Sequence, residues 1–250
     1  MVKMTRAGWR ITKSYVNKVN TQYAAVNGQS NNRLTASQDV MPFHLQNAYK
    51  GETIKEFTLF HNPTTSFLGD TWESTRDKLG ITNPMTKRFA KILEETQQYN
   101  GETKWVAHSQ GGAIFAQAVH YLNKKNGVSL DGQTVYFQGH ANNMLVTKPI
   151  LKKAGVKLHK EGYNNNPFDG VPQIIGLNAV TDLLLSFGFG SIGRLLAAPL
   201  AIIPGLVPFS FTGNPKISPH TRPYNGIGNY GKSVASGVKD ILGKMVKRFI

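Results

Sequence analysis

The run Lys104-Trp105-Val106-Ala107-His108-Ser109-Gln110-Gly111-Gly112-Ala113-Ile114-Phe115 constrains this chain more than any other stretch. Trp105 to Ala107 is a short apolar run that reads as the end of a buried strand. After it, Ala113, Ile114, Ala116, Ala118, Val119 and Leu122 recur at helical spacing, so Gly112 to Lys124 reads as a helix. Ser109 stands between the two. A sharp strand-to-helix turn pushes a serine hydroxyl outward and brings neighbouring backbones close, so the flanking residues must be small. Gly111 meets that need, and Ala107 adds only a methyl group.

With a strand before it and an amphipathic helix after it, the Ala-x-Ser-x-Gly run resembles the nucleophile elbow of the serine esterases and lipases of the α/β-hydrolase family. His108-Ser109-Gln110-Gly111-Gly112 is similar to a common lipase-like form of that elbow, with Ala107 where the pattern has its first Gly. The resemblance covers about residues 54 to 222 and leaves both ends of the chain uncovered. It implies Ser109 as nucleophile and the N–H of Gln110 as one donor of an oxyanion hole. A second donor comes, in that family, from a loop after a strand. Ile54 to Phe60 reads as such a strand, and it ends in His61-Asn62-Pro63-Thr64-Thr65. Asn62 or Thr64 can donate there, whereas Pro63 has no N–H.

A serine alcohol needs a base to take its proton, and the base needs a carboxylate to orient it. The family's chain order is Ser, then Asp or Glu, then His. Only His220 follows His159, in Ser218-Pro219-His220-Thr221-Arg222-Pro223, so that order selects His220 as base. Asp169 lies in the loop Asn164-Asn165-Asn166-Pro167-Phe168-Asp169-Gly170-Val171, which resembles the Asn-Pro-x-Asp-x-Val loops of some lipase-like hydrolases. Asp182 competes for the acid, but it opens an apolar segment and suits a helix N-terminus. Glu161 sits closer to the end of the preceding strand. His108 flanks the nucleophile too closely to serve as base, and His44, His120 and His140 have no supporting context. No grouping of His, Asp and Glu has metal-ligand spacing. Neither a metal nor a cofactor is expected.

The rest of the chain alternates. Pro84 to Tyr99 reads as a helix with Met85, Phe89, Ile92 and Leu93 as its apolar stripe, stopped by Asn100-Gly101. Thr134 to Phe137 reads as the next strand, Leu145 to Ala154 as a helix, and Val156 to His159 as another strand. Strands alternating with helices predict an α/β-hydrolase-like fold: a mostly parallel sheet with helices on both faces and its site beyond the carboxyl ends of the strands.

Length suits one such domain with elaborations, since the chain has 250 residues. The expected organisation is a basic N-terminal arm over 1–50, the hydrolase-like domain over 51–230 and a basic amphipathic C-terminal helix over 231–250. Lys3, Arg6, Arg10, Lys13, Lys18 and Arg33 all precede the first acid, Asp39, in a stretch rich in Asn, Gln, Ser and Thr. Lys and Arg number 29 against 14 Asp and Glu, a formal net charge of +15 that favours anionic partners. There is no Cys, which excludes disulfides and thiolate chemistry.

Within the domain, 183–211 carries a single formal charge, Arg194. An Arg near the centre of a bilayer span costs roughly 2.5 to 3.5 kcal/mol on insertion scales. Gly188, Gly190, Gly193 and Pro199 also weaken a continuous helix, so the segment reads as an apolar helical cap or membrane-dipping lid, with buried helices of the core as the alternative. In 231–250, Val234, Val238, Ile241, Leu242, Met245, Val246 and Phe249 form one stripe among five Lys and Arg.

These features imply a serine hydrolase of carboxylic esters, with acyl or lipid esters as substrate. An anionic membrane surface is the expected partner of 183–211 and 231–250, and nucleic acid or a larger assembly that of the N-terminal arm. The alternative is a catalytically silent hydrolase-fold protein serving as a membrane-, nucleic-acid- or assembly-binding component. No continuous apolar signal segment is present near the N-terminus, so a cytoplasmic or peripherally membrane- or assembly-associated location is expected.

Overall fold

Tyr23-Ala24-Ala25-Val26 is short, has no polar member and is buried on both faces, which suits a strand at the centre of a sheet. The computed structural model, which describes residues 1–13, 15–28, 32–63, 84–125 and 128–164, places it there as β3. Before it, β1 (Val2–Thr5) and β2 (Gly8–Ile11) form a hairpin. The Thr5 hydroxyl ties that turn by bonding the Gly8 carbonyl at 2.7 Å, and Gly8 adopts φ of 96°.

After β3, the short helix α1 (Arg33–Thr35) is capped by the Asn32 side chain, which accepts from the Thr35 N–H at 2.9 Å. It widens into a π-helical turn over Ala36–Val40 and continues as α2 (Met41–Ala48). Pro42 has no N–H to offer the Gln38 carbonyl, and the helix loosens just where that bond is missing. Then come β4 (Glu56–Phe60), α3 (Pro84–Asn100), β5 (Thr103–His108), α4 (Gln110–Lys124), β6 (Gln133–Gln138), α5 (Met144–Ala154) and β7 (Lys157–Asn164).

The strands order as β2-β1-β4-β3-β5-β6-β7 in one seven-stranded sheet. β4, β3, β5 and β6 run parallel, and the hairpin adds an antiparallel edge through β1 against β4. This is an α/β fold with two cores. On one face, Ala24, Val26, Trp105, Ala107, Val135 and Phe137 pack with the apolar sides of α3, α4 and α5. On the other, Tyr23, Ala25, Phe57, Val106 and Tyr136 pack with Met41, Leu45 and Ala48 of α2. Alternate residues of the same strand therefore serve opposite cores. Size is matched across the register: Trp105 lies between Ala24 and Val135, and its ring Nε1–H reaches Gln133 at 2.7 Å.

The helices and strands expected between 84 and 159 are present, with ends that agree to within a few residues, except that the last strand runs on to Asn164. The stretch 1–50 does not behave as an appended arm. It supplies three strands and the helices α1 and α2, and it belongs to the same compact unit, Met1–Tyr163, as the rest of the sheet. Its basic residues are mostly exposed, on the hairpin, the loops and the start of α1, while the residues it buries are mostly small, so charge dominates its sequence and burial does not. The cap segment 183–211 and the helix expected over 231–250 lie outside the described residues.

Candidate active site

The carboxyl ends of β4, β3, β5 and β6 come together where the strand order reverses: β3 is followed by β4 on one side and by β5 on the other. Such reversals leave a crevice beyond the strand ends. Ser109 occupies this place, immediately after β5 and before α4. Its backbone has φ 56° and ψ −130°, and it is the sole non-glycine residue with positive φ among the described residues. A conformation of this kind costs on the order of 1–3 kcal/mol and persists only where the surroundings hold it. They do so here. The Ser109 N–H donates to the Gln138 carbonyl at 3.2 Å, and its carbonyl accepts from Gly112 and Ala141, each at 3.0 Å. The backbone is clamped on both sides, and Ser109 itself is buried.

Three glycines make room for this turn. A Cβ on Gly111 would lie 2.4 Å from the Val26 carbonyl oxygen, so only glycine lets α4 start this close to β3. A Cβ on Gly112 would lie 2.5 Å from Asn142 Oδ1. The third is Gly28, on the loop after β3, where a Cβ would fall 2.3 Å from the Ser109 Cβ and 2.7 Å from its Oγ. The backbone of Gly28 thus lies directly against the serine side chain.

An amide network fixes these loops to one another. The Asn62 N–H donates to Asn27 Oδ1 at 2.8 Å, and Asn62 Nδ2 donates to Gln110 Oε1 at 2.6 Å. Asn27 Nδ2 in turn donates to the Gly28 carbonyl at 2.6 Å. The ends of β3 and β4 and the start of α4 are therefore held as one unit. Asn62 thus lies beside the start of α4, with its N–H committed to Asn27. Gln110 opens α4, and an N–H at the first helical position has no acceptor inside the helix. Thr64, Asp169 and His220 lie outside the described residues, as does Asp182.

Sequence reasoning passed over Gly28 and the loop after β6. Asn27-Gly28 following a buried run was the available signal for the first. In the second, His140 is fully buried, and its Nδ1 is 2.8 Å from the Asn142 carbonyl. A carbonyl only accepts, so Nδ1 carries the proton. Burial pushes the His140 pKa down to about 4, against bonds with Asn142 that act to raise it. The ring is neutral at neutral pH. It packs edge-on against Phe137, with centroids 5.5 Å apart, and braces the loop whose Ala141 N–H holds the Ser109 carbonyl. His108 stacks on His44 of α2 at 4.4 Å between centroids, which takes its ring into the α2 side of the sheet. Among the described residues no group of three His, Cys, Asp or Glu is arranged to hold a metal ion. No family model matches the chain, and neither does any curated protein or solved structure.

Proposed function

We propose that this protein is a serine hydrolase that cleaves carboxylic esters through an acyl-enzyme, on an α/β-hydrolase-like scaffold. The observation that carries the reading is the Ser109 turn: a strained serine at the carboxyl end of a central parallel strand, at the start of a helix, with Gly28 against its hydroxyl. In that family the oxyanion hole joins the N–H after the nucleophile to an N–H from the loop following the third strand. We assign those two roles to Gln110 and Gly28 in place of Asn62 and Thr64; Gln110 opens α4 directly after Ser109, and Gly28 lies against its side chain.

Ser109 Oγ attacks the ester carbonyl. His220 takes its proton and later returns it to the leaving alcohol, and Asp169 orients the imidazole and stabilises its charged form. The carbonyl oxygen becomes an anion in the tetrahedral intermediate. Backbone donors fixed in advance stabilise that charge without having to reorganise; losing one such donor typically reduces kcat about 10² to 10³-fold. Water then attacks the acyl-enzyme by the same route in reverse, so the reaction needs no cofactor. The apolar composition of 183–211 and the basic, amphipathic sequence pattern of 231–250 fit an acyl or lipid ester met at an anionic membrane surface.

Hydrolysis of a series of p-nitrophenyl esters, with and without anionic vesicles, tests the reading. Wild type is expected to turn over esters, and Ser109→Ala and His220→Ala to lose at least about 10³-fold in kcat. Equal rates in wild type and Ser109→Ala would reject it.

A further inference from the structure

β4 runs on through Thr58, Leu59 and Phe60 beyond its last pair with β1, which is Val2 with Phe57. Beside this stretch lies a cavity of about 320 Å³. Val16, Val19, Phe60, Met85, Ile92 and Trp105 give it apolar walls. Lys13, Arg33 and Arg88 also line it, and among the described residues no Asp or Glu does. All three cations are exposed, and none is paired with a carboxylate among the described residues. An apolar hollow bordered by unpaired cations is complementary to a molecule with an apolar body and an anionic head. The volume lies at the lower end of ligand pockets, about 300–1,000 Å³, which suits one alkyl chain and not a diacyl lipid.

We propose that this cavity is a binding site for a single-chain amphiphilic anion, of the medium-chain alkyl carboxylate class. Its chain lies along Val19, Phe60, Met85 and Ile92, and its head meets Arg88, Arg33 and Lys13. The site is separate from acyl transfer at Ser109 and does not depend on it. It is joined to the serine loop through one segment: His61 and Pro63 line the cavity, and Asn62 between them bonds Gln110.

Isothermal titration of the full chain with decanoate, below its micelle concentration, tests the site, with decanol, decyltrimethylammonium and inorganic phosphate as comparison ligands. Decanoate is expected to bind, at least tenfold more tightly than any of the three, and more weakly as salt rises. Arg88→Glu with Arg33→Glu is expected to weaken decanoate at least tenfold, while Arg88→Lys retains most of the binding. Ile92→Trp, which fills the cavity and keeps the cations, is expected to weaken decanoate too. Ser109→Ala is expected to bind as wild type does, so a failed hydrolase reading and a failed binding site give different results. Circular dichroism confirms that each variant is folded, and a variant that is not is replaced by Arg88→Gln or Val16→Phe. Three results would overturn the site: no decanoate binding to folded wild type, decanol or phosphate binding as tightly as decanoate, or affinity unchanged by charge reversal. Loss of binding in folded Ser109→Ala would also overturn it, by placing the ligand at the serine instead.

Discussion

Ser109 is held in a backbone conformation it would not choose, by three hydrogen bonds from its own peptide groups and by the absence of side chains at positions 28, 111 and 112. The glycine at 28 has the most direct bearing on chemistry, because the atom it lacks would sit on the serine hydroxyl. Gly28→Ala is therefore expected to displace Oγ and the neighbouring N–H together. A displacement near 1 Å at a reacting group is worth about 10²-fold in rate, while overpacking one methyl costs about 1–3 kcal/mol. Ester turnover measured beside thermal unfolding separates the two: activity falls by about two orders of magnitude in a protein that still folds.

His140 bears on stability at the same scale. Its folded pKa of about 4 lies below the ordinary 6.5, so the unfolded chain takes up a proton that the native protein refuses. The stability this ring supports is complete above about pH 6.5 and declines as the pH falls towards 4, by up to about 1.4 kcal/mol per pH unit. Urea unfolding across that window is expected to show the decline in wild type and a shallower one in His140→Gln.

Among the elements, the β5–α4 pair was legible because its sequence changes period within a few residues. A compact apolar run gives way to apolar residues at three and four apart, with His108-Ser109-Gln110-Gly111-Gly112 between them. β3 was not legible. Tyr-Ala-Ala-Val is short, half alanine, and buried on both faces, so it lacks the alternation that marks a half-exposed strand. With β3 unseen, β4 became the first visible strand, and the loop carrying Gly28 against Ser109 went unread. The helix over 33–48 was hidden for a related reason: a polar opening and Pro42 obscure a stripe that only the α2 portion completes.

At the opposite end of β3 and β5, Glu52 joins two elements, accepting from the Tyr23 hydroxyl and from Lys104 Nζ, the latter at 2.6 Å. Burial alone would raise the Glu52 carboxyl. The hydrogen bonds from Lys104 and Tyr23, with the charges of Lys104 and His159, outweigh it and hold the group below its ordinary 4.5. Its contribution to stability is thus fully present above about pH 4.5 and is lost as the pH falls through the lowered folded value. The stability difference between wild type and Glu52→Gln is expected to shrink on acidification from about pH 6 to about pH 3. A difference that stays constant across that range would remove Glu52 from the account.

At the scale of the molecule, one sheet with a core on each face fixes the crevice at which four strand ends and the start of α4 converge. The fold class could be read from alternating strands and helices, because alternation is a property of the whole chain and survives the loss of one strand. An acid and a base for Ser109 could not be sought by periodicity, since single Asp and His residues leave no periodic trace; the proposed Asp169 and His220 rest on order along the chain and on the resemblance of the Asp169 stretch to a family loop. The most direct test of the central claim is therefore covalent. Purified protein treated with a fluorophosphonate probe, digested and analysed by mass spectrometry, is expected to carry one adduct, on the peptide containing Ser109, with labelling abolished in Ser109→Ala and strongly slowed in Gly28→Ala and His220→Ala. A folded wild-type protein that takes up no probe, with or without anionic vesicles, or that carries the adduct on another residue, would contradict the account.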